Sequence, residues 1–195
     1  MKVRYVPLVL AVVLAVSALS FADQVITFEG YPDLTVFTNQ FPGVNFNGAT
    51  VLQLGGTLNP AFPPHSGINV VYNPIGGMSI QFASTVGYFS GYFTYNLPLE
   101  IQAFDSLSNL LGTYNSVCTA NYIGAGTACG PNEYGIVTAA GIDHVLVTGG
   151  GGNNFTLDDA QFTGSINTVP EPGTLLIFGS GILGVVGVLR RKINL

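Results

Sequence analysis

Asp158 and Asp159 stand side by side in the run Phe155-Thr156-Leu157-Asp158-Asp159-Ala160-Gln161-Phe162, and no lysine or arginine occurs between residues 23 and 169 to neutralise them. Two neighbouring carboxylates need a counter-charge that no lysine or arginine can supply here, which a bound cation would provide, unless they flank a solvent-exposed bulge. A second group suited to chemistry is Tyr88-Phe89-Ser90-Gly91-Tyr92-Phe93-Thr94-Tyr95. At a period of two, one face carries Tyr88, Ser90, Tyr92 and Thr94, and the other Phe89, Gly91, Phe93 and Tyr95. The phenylalanine face belongs in a core. The tyrosine face can stack on sugar rings and hydrogen-bond their hydroxyls, since tyrosine joins an apolar ring to a polar tip. The same face also fits the outer surface of an ordinary amphipathic strand. His65 and Ser66, in Pro63-Pro64-His65-Ser66-Gly67, either line a ligand site or form a solvated turn.

Catalytic arrangements are harder to assemble. The chain has two histidines, His65 and His144, and no nucleophile-elbow motif around any serine. Glycoside hydrolysis needs two facing carboxylates. Glu100 and Asp105 are five residues apart, so in one regular strand they point to opposite faces. The residues predict a protein that is not an enzyme, with a glycoside hydrolase as the remote alternative. Cys118 and Cys129 flank a Gly- and Ala-rich segment with no histidine or second cysteine pair nearby, which argues against a metal site. In an exported chain the pair predicts a disulfide that closes a loop between two strands, worth about 3 kcal/mol for a loop near that length.

Charge narrows the choice further. All five cationic side chains sit at the ends: Lys2, Arg4, Arg190, Arg191 and Lys192. Nine of the ten acids lie in residues 23–167, which leaves that segment with a formal charge of −9. Such a domain cannot neutralise phosphates, so nucleic acid is excluded as a partner, and no phosphate-binding loop with its lysine can form. A metal cation or a neutral ligand such as a sugar remains compatible.

The elements that must position these groups are strands. Alternation of period two runs through residues 25–29, 44–47, 68–72, 78–82, 86–95, 99–104, 134–138, 145–148 and 155–162, with Gly, Pro and Asn clusters between them. No amphipathic helical stretch interrupts residues 23–167. The pattern predicts one all-β domain, a single jelly-roll-like antiparallel β-sandwich. Its edges, which carry no lysine, must be protected by proline, acids, loops or a partner.

The two ends read as addresses. Lys2 and Arg4, the apolar run Val6–Leu19 and the small-x-small site Ser20-Phe21-Ala22 form a secretory signal peptide over residues 1–22. At the other end, Val169-Pro170-Glu171-Pro172 precedes an uncharged apolar run over 174–189 and the basic stop Arg190-Arg191-Lys192. The run is short for a membrane span but insertable, and the basic cluster keeps to the cytoplasmic side. This order over 168–195 resembles the PEP-CTERM sorting signal of bacteria. The resemblance implies a transmembrane sorting helix, an exosortase-type protease as partner, an inner-membrane-anchored intermediate, and release or transfer to the cell envelope.

The body carries a second resemblance. The start Ile26-Thr27-Phe28-Glu29-Gly30 and the end Leu157-Asp158-Asp159-Ala160-Gln161-Phe162 resemble the ends of carbohydrate-binding and MAM-like jelly rolls. That resemblance implies that the first and last strands lie close together and that Glu29, Asp158 and Asp159 help bind a structural Ca²⁺. Glycine directly after Glu29 and the lack of a cysteine framework depart from the pattern. Together these readings predict an exported surface or extracellular-matrix protein with a non-catalytic structural or adhesive role. The alternative is a module for extracellular polysaccharide, with Tyr88, Tyr92 and His65 at its site.

Overall fold

A computed structural model describes residues 23–149 and 154–163. The expected signal peptide at 1–22, the centre of the glycine run at 150–153, and the sorting motif, apolar run and basic stop within 164–195 lie outside the described residues. Ten strands follow in order: β1 (Asp23–Ile26), β2 (Val36–Phe37), β3 (Val44–Asn47), β4 (Ala49–Gln53), β5 (Asn69–Tyr72), β6 (Met78–Tyr95), β7 (Leu99–Phe104), β8 (Leu110–Asn115), β9 (Glu133–Gly149) and β10 (Phe155–Thr163). Every pairing is antiparallel. Along the sheet the order is β2-β4-β5-β10-β6-β9-β7-β8, with β1 beside β10 and β3 beside β6. No helix occurs among the described residues, and so none there is long and apolar enough to cross a membrane.

Two long strands organise the sandwich. β6 and β9 run for 18 and 17 residues and pair with each other over most of that length. Their register slips between Gln81 and Val86 and again between Val86 and Tyr88. Irregularities of this kind bend a strand and increase its twist. On one side of the slip, β6 pairs with β3 and with the end of β9; on the other it pairs with β10 and with the start of β9. Both halves turn their apolar faces to one core. Phe46, Ile80, Phe82, Val145 and Val147 come from the first half, and Phe89, Phe93, Val137, Leu157 and Phe162 from the second. The all-β, jelly-roll-like sandwich expected from the alternation is the architecture of the described residues.

Aromatic packing closes the end of the core near β1. Phe28, Phe37 and Phe46 meet edge to face at 5.2–5.6 Å, and Tyr31 adds a fourth ring against Phe37 at 5.1 Å. Such pairs add about 0.5–1.5 kcal/mol each beyond the area they bury. The chain passes from β3 to β4 through Asn47-Gly48, with Gly48 at φ +79°, the left-handed conformation glycine adopts without a steric cost.

Several strand expectations need correction. The first strand ends at Ile26, not at Gly30, because Phe28 and Gly30 adopt positive φ and turn the chain. Glu29 therefore lies beyond β1. The runs 78–82 and 86–95 form one strand, as do 134–138 and 145–148; bulges break the alternation without breaking the strand. β2, β4 and β8 were not expected. β2 is two residues long, and β8 lies at the sheet edge with both faces largely exposed, so it has no in-and-out pattern to read.

Candidate functional site

β10 is buried on both faces, an uncommon condition for a strand carrying two acids. Its inner face joins the core, and the segment His65–Asn69 is bonded to its outer side and to Glu29. Asp158 and Asp159 are 1% and 7% exposed. Asp158 Oδ2 accepts from the backbone N–H groups of His65 and Ser66 at 2.7 and 2.9 Å, and Oδ1 accepts from the N–H of Asp159 at 2.7 Å. Asp159 Oδ1 accepts from the Ser66 hydroxyl at 2.8 Å, and Oδ2 from the His65 ring Nδ1–H at 2.7 Å. Glu29 joins from the other side: its Oε1 accepts from the N–H groups of Ile68 and Asn69 at 3.0 and 2.9 Å. Three carboxylates thus clasp one loop. The bulge between Asp158 and Gln161, with Asp159 at φ +45°, brings both aspartates to that loop. Burial pushes the Asp158 carboxyl up to about 6, against its N–H donors, and Asp159 adds a like charge.

This donor set decides how the predicted calcium ligands are used. β1 does pair with β10, as the resemblance implied. The oxygens of Asp158 and Asp159, and Oε1 of Glu29, face N–H and O–H donors, whose positive ends stand where a cation would have to sit. Among the described residues no three His, Cys, Asp or Glu side chains converge into a metal-binding group. In this conformation Glu29, Asp158 and Asp159 do not fit a Ca²⁺ shell; they hold His65–Asn69 in place.

The loop delivers His65 to the tyrosine face. Its ring lies flat on Tyr92, with centroids 3.4 Å apart and planes 6° from parallel. Tyr92 pairs with Tyr134 across β6 and β9, and their rings meet tilted at 5.2 Å. Ser90 stands opposite Ile136, and Tyr88 opposite Thr138. Antiparallel partners share a face. The outer surface of β6 and β9 therefore presents Tyr88, Ser90, Tyr92, Tyr134 and Ile136 together, with Tyr134 and Ile136 at 42% and 40% exposure. Gln161 of β10 continues it beside Ser90, and Val25 of β1 stands opposite Gln161. Burial pushes the Tyr88 hydroxyl up to about 12, with Asp23 adding to the shift. Ser90 is fully buried within this face, and its Oγ is the buried side-chain oxygen without a partner among the described residues.

Tyr88 and Tyr92 share one strand face, and His65 stacks on Tyr92. His65 sits in a bend with its side chain partly exposed, bonded to Asp159, and it covers part of Tyr92. Thr94 is buried, with its hydroxyl bonded near Asn132, and does not join the surface. Tyr134 and Ile136 escaped the sequence reading. The available signal was the alternation Tyr134-x-Ile136-x-Thr138, whose large residues stand out of phase with the core positions Gly135 and Val137.

A disulfide-bonded loop supports the same end of the sandwich. Cys118 and Cys129 are joined, with Cα atoms 6.2 Å apart, between β8 and β9 as expected. Asn121 pins this loop to the end of β6: its Oδ1 accepts from the N–H of Tyr95 at 2.7 Å, and its Nδ2 donates to the carbonyl of Phe93 at 2.9 Å. Tyr122 stacks on Phe62 at 5.7 Å, and the N–H of Ile123 donates to the carbonyl of Ala61. Asn132 Nδ2 donates to the carbonyl of Pro64, directly before His65. Glu133 gathers the Tyr95 and Tyr114 hydroxyls and the N–H of Val117. Burial first, then Glu133, pushes both phenols up, Tyr95 to about 12.

The remaining acids lie elsewhere in the fold; Asp33, for one, accepts from the N–H groups of Gln53 and Thr57 and from the Thr57 hydroxyl. Asp105 collects the N–H groups of Leu107 and Asn109 and the Asn109 amide, which lower its pKa. Asp143 is lowered by Gln81 and by His144. Glu100 accepts from Gln102.

Residues 168–192 match the PEP-CTERM protein-sorting motif, which marks the chain as an exported protein. No curated protein matches the chain. Among solved structures it is similar to a family 6 carbohydrate-binding module from Clostridium stercorarium in complex with cellobiose, at 12% identity over 73% of this chain and 93% of that one, with a TM-score of 0.40. It is similar to a variant of a family 29 carbohydrate-binding module at 13% identity, over 77% and 99% of the two chains, with a TM-score of 0.39. A third likeness is to the catalytic domain of a family GH87 α-1,3-glucanase, at 18% identity over 67% of this chain and 31% of that one, with a TM-score of 0.32.

Proposed function

We propose that residues 23–167 form a non-catalytic carbohydrate-binding domain that gives an exported surface or matrix protein its adhesion to extracellular polysaccharide. One observation carries this reading: the strand register brings Tyr88, Tyr92 and Tyr134 onto one outer face, around the buried and unpartnered Ser90 hydroxyl. Phenol rings offer faces for sugar rings, and their hydroxyls offer hydrogen bonds to sugar hydroxyls. His65, held by Asp159 and stacked on Tyr92, stiffens the platform at one end. The test is retention of the purified exported chain in gels containing soluble polysaccharides, with Tyr134→Ala and Tyr92→Ala beside the natural sequence. Retention that both substitutions weaken several-fold, at unchanged folding, supports the reading. Retention indifferent to both removes the face as the site.

A purely structural role is the second reading, and the β8 edge favours it. Leu107, Leu110, Leu111 and Val117 are exposed there without a single neighbouring lysine, the kind of edge that associates with other molecules. For sorting, an exosortase-type protease processes the tail near Pro170-Glu171-Pro172 after the apolar run 174–189 has held the chain in the inner membrane, on the way to the cell envelope. Replacing those three residues by alanine is expected to leave the tail unprocessed, and unchanged processing overturns that step.

A further inference from the structure

We infer that the tyrosine face selects glycans bearing protonated amino groups over their neutral and acidic counterparts; this rests on the carbohydrate reading above and adds the sign of the ligand's charge. The first argument is electrostatic. Between residues 23 and 169 there is no lysine or arginine, against nine acids. A uronic-acid polymer would bring carboxylates that no cation of the domain can meet, so its desolvation would go uncompensated. A polymer of amino sugars meets the opposite situation, because the summed field of the domain attracts it.

The second argument is local. The face itself is uncharged, and a free carboxylate stands near one of its ends. That carboxylate is Asp23: it stands opposite Thr163, whose hydroxyl accepts from the N–H of Gly87 next to Tyr88, and after burial it adds to the upward shift of the Tyr88 phenol. At the other end Asp158 and Asp159 are buried and spent on the His65–Ser66 loop, so they add only to the long-range field. His65 is the one group beside the face that can carry positive charge, and its Nδ1 is committed to Asp159. Phenol rings attract ammonium groups through the negative face of the π-system. Ser90 is the third element: its buried Oγ has lone pairs and no partner among the described residues, so it can accept a hydrogen bond from a ligand ammonium or hydroxyl that reaches it.

The test is calorimetry of the exported chain at mildly acidic pH with four oligosaccharides of equal length: glucosamine, its N-acetylated twin, glucose and galacturonate polymers. The glucosamine oligomer is expected to bind about threefold to tenfold tighter than the N-acetylated one. That preference should collapse in about 0.5 M salt, where charges are screened within a few ångströms, and galacturonate should give no heat. Asp23→Asn should shrink the ratio of glucosamine to N-acetylated binding. Tyr92→Ala should weaken both. A preference that survives Tyr92→Ala belongs to the general charge of the domain and overturns the assignment to this face. If the glucose or N-acetylated oligomer binds and the amino form gains nothing, the selectivity falls and the carbohydrate reading stands. If none of the four binds a folded chain, both fall.

Discussion

The two histidines of this protein are built from the same parts and do different work. His65 stacks on Tyr92 and bonds to Asp159, a residue 94 positions away. His144 stacks on Phe104 at 5.1 Å and bonds to Asp143, its immediate neighbour, at 3.1 Å. The carboxylate under His65 is buried, and beside it Asp158 takes three N–H bonds. The carboxylate beside His144 is partly exposed and is assisted by Gln81. One set ties a loop to a central strand across the fold. The other decorates a strand that would form without it. A histidine, an acid and an aromatic ring therefore say little by themselves; the sequence distance they bridge and the burial of the acid set their weight.

The sharpest way to break this comparison is to remove each acid. Asp158→Ala leaves three N–H donors without an acceptor and is expected to cost about 2–4 kcal/mol in denaturant unfolding. Asp143→Ala should stay within about 0.5 kcal/mol, as surface changes do. Equal losses would mean that the loop at 65–69 is not held by β10. The disulfide comes next. Replacing Cys118 and Cys129 by serine should lower stability by about 3 kcal/mol or less. Because Tyr122 and Asn132 lean on Phe62 and Pro64, it should also broaden the His65 ring signals in NMR while those of His144 stay sharp.

Acid titration separates the two regions by sign. The Asp158 value near 6 lies above its ordinary 3.8. The native state thus keeps a proton that the unfolded chain releases between these values, and stability falls as pH rises through that window. Asp143 lies below its ordinary value, so its contribution is present at higher pH and is lost as pH falls. Asp158→Asn should remove the first slope and leave the second, read from melting temperatures across the acid range. The smallest expected effect is that of calcium. With Asp158, Asp159 and Glu29 engaged by donors, millimolar Ca²⁺ after EDTA should leave the melting temperature unchanged. A rise that Asp159→Ala abolishes would show that the loop surrenders those bonds to a cation.

Much of this arrangement could be read along the chain. The alternation of Val86 to Tyr95 placed Phe89 and Phe93 inside and Tyr88 and Tyr92 outside, because a strand has only two faces. The disulfide was legible from the two cysteines and from the export expected of the chain. Tyr134 was not, since its role comes from standing opposite Tyr92, and register is a property of two strands. The use of Glu29, Asp158 and Asp159 as a clasp was also hidden. A carboxylate that binds a cation and one that gathers N–H groups have the same sequence, and the bulge at Asp159 decides between them.

The position of β10 has a mechanical consequence. Its last residue, Thr163, pairs with Asp23, and the chain continues from there towards the sorting motif. β10 is hydrogen-bonded to β1 and β5 and along most of its length to β6. Tension that enters at Thr163 and runs along the strand is therefore carried by rows of bonds on both flanks in shear, rather than by one bond after another as in an unzipping hairpin. Phe155, Leu157, Ala160 and Phe162 would have to be drawn out of the core before the strand could slide. A domain pulled through Thr163 would thus be loaded along the direction in which it resists most.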